Sequence, residues 1–576
     1  MFALRRRRQT ERFPHVLALA LSMALGGWMG AFSRESADAQ TTPYADKIGV
    51  ELDGIGDGSR AKPFVDVAKT LRPWTTTDGS KPAPLDANGW PRTDAMTVLF
   101  DIRPIPAWNP PIDDPDAFQP DWSGTYKLRF TGQAILALGD ASQAHIANQR
   151  YDAATNTTTA DVIVPKGAGL LVLSFTQTRR TPGSPTNTGI TNLRMIRPGY
   201  PANTKQVFTN EFLASLQPFR ILRFMDWTST NHNPGYYGDP GHHALHWADR
   251  HLPTDATQQD YGTKYGAAWE YVIALANRTH KDIWINISVA ATDDYVQQLA
   301  LLLKKTLAPD LKIYLEHSNE VWNFGFPQYI YNKLAAIEEV GKGRSPLNRD
   351  GTQDQEEWAR RRHAKRLIEI ATIFKTVFGV NAIPARIRPI YAAWVIQPEG
   401  YYANVLKWAA ATYGPPKNYL YGIAGAAYFN AEKAAPNASP EEIVRVMRAS
   451  SDSNLKWRAQ IQRIAEEYGL KHCQYEVGPD NGGGSTVNVA NRIRANRLPS
   501  MKELMLHDAR DNWFARGGDL YMVFALCSAY SRYGCWGLSE DIANRNTPKW
   551  QAIYELTGFK QAGGETASLR RLRSGR

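Results

Sequence analysis

Between about residues 190 and 560, short apolar runs alternate with longer amphipathic stretches, and few folds tolerate that order. The strand candidates are "ITNLRMI" (190–196), "RILRFMD" (220–226), "DIWINIS" (282–288), "LKIYLEH" (311–317), "RIRPIYA" (386–392), "LYGIAGA" (420–426), "HCQYEVG" (472–478) and "DLYMVFA" (519–525). Between them lie stretches such as "KYGAAWEYVIALANRT", "DDYVQQLALLLKKTL" and "RLIEIATIFKTVF", with apolar residues three and four apart, the period of a helix with one buried face. Eight such alternations over 190–560 predict a (β/α)₈ barrel with long loops. A doubly wound open sheet is the structural alternative.

The preceding segment has another texture. Residues 41–100 are rich in Gly, Pro, Asp and Thr and read mainly as loop. From about 95, "AMTVLFDIR", "GTYKLRFTG", "AILALGD" and "GLLVLSFTQTR" are short, alternating and bounded by turns. That pattern predicts an antiparallel β-sandwich over 45–189, either binding carbohydrate or bracing the barrel. At the N-terminus, Arg5–Arg8 and Arg12 precede the apolar run "VLALALSMALGGWMGAF", and "ADAQ" offers a cleavage point after Ala39. This reads as a signal peptide over 1–39, with a retained membrane anchor as the alternative. A secreted or periplasmic chain without stable membrane insertion is expected.

The two ends carry seven of the eleven net positive charges, leaving the body near balance at +4. A nucleic-acid-binding protein is therefore not expected. The tail 561–576 is basic and reads as disordered. Three cysteines and no C-x-x-C pair argue against a structural zinc site, and no metal or organic cofactor is expected. A monomer is expected.

In a (β/α)₈ barrel, reacting groups come from the C-terminal ends of the strands. The second candidate strand ends in Asp226 and Trp227, followed by Asn231. The fourth leads into Asn319, Glu320 and Trp322, the sixth to Tyr428, the seventh into Glu476, and the eighth runs on to Trp536. Two carboxylates from two strand ends would share one pit. Glycoside hydrolysis uses such a pair: one carboxyl protonates the leaving oxygen, and the other attacks carbon or activates water. Chain spacing does not give their separation, so retention and inversion both remain open from the residues alone.

"SNEVWN" at the fourth strand and "YEVG" at the seventh resemble the retaining glycoside hydrolases of clan A, the family-5-like barrels. "YLEHSNEVWN" also resembles secreted bacterial barrels described as cellulose-binding or hypothetical. The resemblance implies Glu320 as general acid/base, Glu476 as nucleophile, and Asn319 on the sugar 2-hydroxyl. It implies Arg223 beside the nucleophile, Tyr428 bonded to it, and Trp536 flooring the subsite next to the scissile bond. Trp227, Asn231 and Trp322 complete the expected substrate-binding set. The clan's frequent His on strand three and "HxY" on strand six are missing, so the sugar contacts differ; Asn286 or Asp293 could substitute. The expected activity is hydrolysis of β-glycosidic bonds in a poly- or oligosaccharide by double displacement. A non-catalytic glycan-binding barrel, a transglycosylase and a structural component of an exopolysaccharide export machine are the alternatives.

Overall fold

The computed structural model describes residues 44–104, 118–139, 143–232, 244–262, 264–480 and 487–560. The readings of 1–39 and 561–576 lie outside the described residues. Its strands are β1 (Ile48–Glu51), β2 (Ala95–Asp101), β3 (Gly124–Thr131), β4 (Gln133–Leu138), β5 (His145–Asp152), β6 (Thr157–Val164), β7 (Leu170–Arg179), β8 (Thr191–Ile196) and β9 (Ile221–Arg223). They continue with β10 (Asp282–Ile287), β11 (Ile313–His317), β12 (Ile387–Ala392), β13 (Gly422–Ala426), β14 (Phe429–Asn430), β15 (Lys471–Val477), β16 (Pro479–Asp480) and β17 (Tyr521–Val523).

Eight of these close into a parallel barrel in the order β1, β17, β15, β13, β12, β11, β10, β9. Parallel strands are buried on both faces, which is why they read as apolar runs. The pleat divides the two faces. In β10, Ile283, Ile285 and Ile287 belong to the apolar layer shared with the surrounding helices, and Trp284 belongs to the barrel interior. Its register partner Tyr314 in β11 fills the same interior, with the two rings stacked at 5.7 Å. Cys473, Tyr475, Leu520 and Met522 continue this inner packing. Each fully buried aliphatic side chain contributes about 1.5–3 kcal/mol, so the closed ring is a rigid support for whatever its rim carries.

The barrel's first strand corrects the sequence reading. It is β1, not 190–196. Ile48–Val50 pair with Tyr521–Val523 on one side, and Gly49–Glu51 pair with Ile221–Arg223 on the other. The segment expected to be strand one is β8, antiparallel to β3. Its polar Thr191, Asn192 and Arg194 alternate with buried Leu193 and Met195, which suits a sheet with one wet face and not a barrel stave. The expected boundary between 189 and 190 therefore does not separate sheet from barrel: a barrel strand lies before the sheets, and a sheet strand lies after it.

Between β1 and β9 the chain builds two antiparallel sheets, β2–β7–β4 and β5–β6–β3–β8. Their apolar faces share one core, including Leu99, Leu128, Phe130, Val162, Leu173, Phe175 and Met195. Phe130 and Phe175, one from each sheet, meet edge to face at 5.3 Å.

Candidate active site

At the C-terminal rim, one guanidinium organises three strand ends. Arg223 of β9 donates from Nη1 to Glu51 Oε2 (2.9 Å) and Glu476 Oε1 (2.7 Å). From Nη2 it donates to Glu316 Oε2 (3.0 Å) and Asn319 Oδ1 (2.9 Å). The side chains of Arg223, Glu51 and Glu316 are 0%, 0% and 1% exposed, whereas Glu476 is 7% exposed. Of the carboxylates on Arg223, Glu476 is thus the one that a ligand entering the barrel mouth can touch.

A bulge gives Glu476 that position. Gln474 pairs with Gly425 and Glu476 with Ala426, so Tyr475 is an extra residue in β15. Such an insertion breaks the strict in–out alternation and re-aims a side chain. Tyr475 fills the barrel interior, yet its neighbour Glu476 also reaches Arg223. The second oxygen of Glu476 accepts from the Tyr428 hydroxyl at 2.9 Å.

Glu320 is built differently. β11 ends at His317, and the chain turns through Ser318 and Glu320, both in the left-handed region at φ 57° and 42°. That conformation is costly for residues with a side chain and is found where surrounding structure fixes it. Here Ser318 N donates to Ile287 O (2.6 Å), and Asn286 Nδ2 donates to Ser318 O (2.7 Å). The partly exposed Glu320 carboxyl accepts from Asn323 Nδ2 at 2.8 Å and from the Tyr475 hydroxyl at 3.2 Å. Removal from water and the nearby Glu476 charge raise its pKa to about 7, against the weaker opposing pull of those two donors and Arg223.

The carboxylates beneath are also shifted. Glu51 is pushed up to about 8, mainly by burial, with Arg223 opposing. Glu316 is raised by burial too, against Arg223 and the Trp284 indole, which donates at 2.8 Å. Asp226 is raised to about 7 by desolvation, then by Glu476 and Asp53. Burial works against the charge of Arg223, and Glu316, Glu51 and Glu476 together more than reverse this, holding its pKa well above the ordinary value. One cation does not compensate three ionised carboxylates in a dry interior. Glu51, raised to about 8, therefore retains its proton near neutral pH, and Glu316 is displaced in the same direction by the same burial.

The remaining expected residues divide. Asn319 is buried, held by Arg223, and donates to Asn231 Oδ1 at 3.0 Å. Asn231 also accepts from Gln328 Nε2 at 2.8 Å, so it fixes Asn319 from the loop after β9. Trp322 stacks on Trp394 at 5.8 Å, forming a paired-ring wall beyond β11 and β12. Trp536 lies thirteen residues past β17, yet packs edge-on against Phe524 at 5.8 Å, and Phe524 in turn packs against Tyr428 at 5.9 Å. Trp227 is a correction. It is buried in the outer apolar layer, stacked on Phe212 at 5.9 Å and packed against Phe224 and Phe64, so no substrate reaches it. Asn286 braces the turn before Glu320, whereas Asp293 heads a helix and pairs with Arg366 at 2.6 Å.

Sequence reasoning missed Glu51, Glu316, Tyr475, Asn323 and Gln328. A charged residue inside an apolar parallel strand was the available signal for Glu316 in "YLEH". Among the described residues, no group of three or more His, Cys, Asp or Glu side chains is placed to hold a metal ion.

No protein-family model matches the chain, and no curated protein sequence does. Solved structures do. One is a 4-O-α-L-rhamnosyl-β-D-glucuronidase from Fusarium oxysporum 12S, at 14% identity and TM-score 0.34, covering 59% of this chain and 61% of that one. A GH51 arabinofuranosidase from Xanthomonas axonopodis pv. citri matches at 12% identity and TM-score 0.35, over 58% and 63% of the two chains. A mutant xylanase 10C from Cellvibrio japonicus in complex with xylopentaose matches at 10% identity and TM-score 0.32, over 86% and 99%. The chain spans less than two thirds of the first two structures' own length.

Among the described residues, no helix is long and apolar enough to cross a membrane.

Proposed function

We propose that the protein is a retaining glycoside hydrolase that cleaves β-glycosidic bonds in a poly- or oligosaccharide. The observation that carries this reading is the contrast between two neighbouring carboxyls. Glu320 has a pKa raised to about 7 by desolvation and by Glu476, while Glu476 is gripped by Arg223 at 2.7 Å and Tyr428 at 2.9 Å. A carboxyl that holds its proton near neutral pH suits the acid, and a carboxyl bonded to a guanidinium and a hydroxyl at the barrel mouth suits the nucleophile.

In the first step a Glu476 oxygen forms a bond to the anomeric carbon as the glycosidic C–O bond breaks, and Glu320 gives its proton to the departing oxygen. In the second, Glu320 takes a proton from water as that water's oxygen bonds to the anomeric carbon and releases Glu476. Arg223 and the Tyr428 hydroxyl stabilise the carboxylate that departs. Asn319, oriented by Arg223 and Asn231, offers its amide to the sugar 2-hydroxyl, and Trp322 and Trp536 offer ring faces to flanking sugars. The two antiparallel sheets serve as a β-sandwich accessory to the barrel, and residues 1–39 direct secretion or periplasmic export of a monomer.

The test is reducing-end release from β-glucans, xylans, mannans, galactans and bacterial exopolysaccharides, with wild type beside Glu320→Gln and Glu476→Gln. Release by wild type that both variants abolish supports the assignment. Glycan binding without release from a broad panel would move the reading to a binding protein.

A further inference from the structure

A cavity lies apart from the candidate active site and is lined by none of the site residues described above. It holds about 340 Å³ and is walled by the segment after β1, by β8, by the loop at 205–207 and by residues 253–254 and 271. That size is at the small end of sites that enclose organic ligands.

Its lining combines rings with cations. Phe64, Trp90 and Tyr271 line it, with Phe64 and Tyr271 edge to face at 5.0 Å. Lys69, Arg194 and Lys205 line it too, against a single acid, Asp66. Asp66 is already engaged: Oδ1 accepts from Ala68 N (3.2 Å) and Met195 N (2.8 Å), and Oδ2 accepts from Arg194 Nε (3.1 Å). Lys69 Nζ donates to the carbonyls of Pro253 (2.8 Å) and Asp255 (3.0 Å), which leaves one of its three protons for another acceptor. Lys205 is exposed and has no side-chain hydrogen bond or ion pair among the described residues. Among the described residues, neither lysine forms an ion pair, although the charges of Asp66 and Asp255 act on Lys69.

We propose that this cavity binds a uronic-acid unit of an acidic polysaccharide, with its carboxylate between Lys69 and Lys205 and its ring against Trp90 and Tyr271. Charge-assisted hydrogen bonds supply the selectivity for the acid, and the apolar ring faces supply the preference for a sugar over a bare anion. Burial lowers the pKa of Lys69, an unfavourable desolvation that a bound carboxylate would offset. The cavity would hold an acidic chain on the enzyme independently of turnover in the barrel.

The experiment is calorimetric titration of the full-length Glu476→Gln protein with glucuronate, galacturonate and mannuronate trimers and with their methyl esters. At least one free acid should bind, with its ester weaker by about tenfold or more. Lys205→Glu and Lys69→Met, added singly to that protein, should each weaken the acid by about tenfold or more. Lys205 is on the surface, so its variant should keep the parent melting temperature even if Lys69→Met does not fold. No binding of any trimer, equal binding of acid and ester, or an unchanged Lys205→Glu affinity would overturn the proposal. So would inorganic phosphate binding as tightly as the best trimer, which would mean a simple anion site. Turnover of neutral glycans in the barrel is read separately by wild-type reducing-end release, so failure at one site is distinct from failure at the other.

Discussion

Glu320 meets uncharged donors, Asn323 and Tyr475, whereas Glu476 meets the Arg223 guanidinium and the Tyr428 hydroxyl. The first carboxyl stands on a turn after β11, and the second stands within β15 at a bulge. One residue type thus receives two sets of partners from two kinds of backbone. A turn places a carboxyl where local amide and hydroxyl groups reach it. A strand inside the barrel places it on the buried cation. The difference follows from where the charge of Arg223 goes, and that can be altered residue by residue.

The largest effect should come from Glu476→Gln, which removes the attacking group and should lower kcat/KM by about 10⁴-fold or more. Glu320→Gln should cost about 10²–10⁴-fold on a natural glycoside. The two variants separate on a nitrophenyl glycoside, whose leaving group needs no proton: the Glu320 variant should recover its first step and the Glu476 variant should not. Equal losses on both substrates would erase the distinction between the sites.

Arg223→Leu attacks the comparison at its source. It leaves three buried carboxyls without their cation, and the loss of stability should be roughly 3–5 kcal/mol by chemical denaturation. An unchanged midpoint would mean that the network does not depend on that charge.

The pH profile sharpens the same point. Glu320 must be protonated to act as an acid, and its pKa in the free protein is raised to about 7, so kcat/KM should fall as pH rises through about 7. Tyr428→Phe is the mildest probe. It removes one hydrogen bond from Glu476 and should lower kcat/KM by about tenfold.

Stability should also drift with pH. The folded-state pKa of Glu51, about 8, exceeds its ordinary value of 4.5, so the folded chain holds this proton more tightly than the unfolded one. That stabilisation is complete below the unfolded value and is lost as pH rises through about 8. The melting temperature should therefore fall between pH 5 and pH 8, and Glu51→Gln should flatten the fall.

Seven of the barrel strands were legible because parallel strands with two buried faces leave apolar runs such as "DIWINI" and "IYLEH". β1 was not, since four residues among Gly- and Asp-rich loop carry too little periodicity to stand out. β8 was read as a strand but in the wrong sheet, although the polar alternation of Thr191, Asn192 and Arg194 carried the signal. At the site, the positions of Glu320, on the turn after β11, and of Glu476, near the end of β15, were readable from the strand-end rule. Glu51 was not, because its role depends on β1 lying beside β9, a closure that local pattern does not encode. Trp227 was misplaced because a Trp immediately after a rim Arg–x–x–Asp segment looks alike whether it turns inward or, as here, against Phe212.

The most direct test of the division between the two carboxyls is covalent trapping. Once the panel has named the sugar, the wild-type protein would be incubated with the matching 2-deoxy-2-fluoro glycoside bearing a good leaving group, and its peptides mapped by mass spectrometry. A single glycosyl adduct on the peptide containing Glu476 is the predicted result. An adduct on Glu320, or steady turnover with inverted products and no adduct, would contradict it.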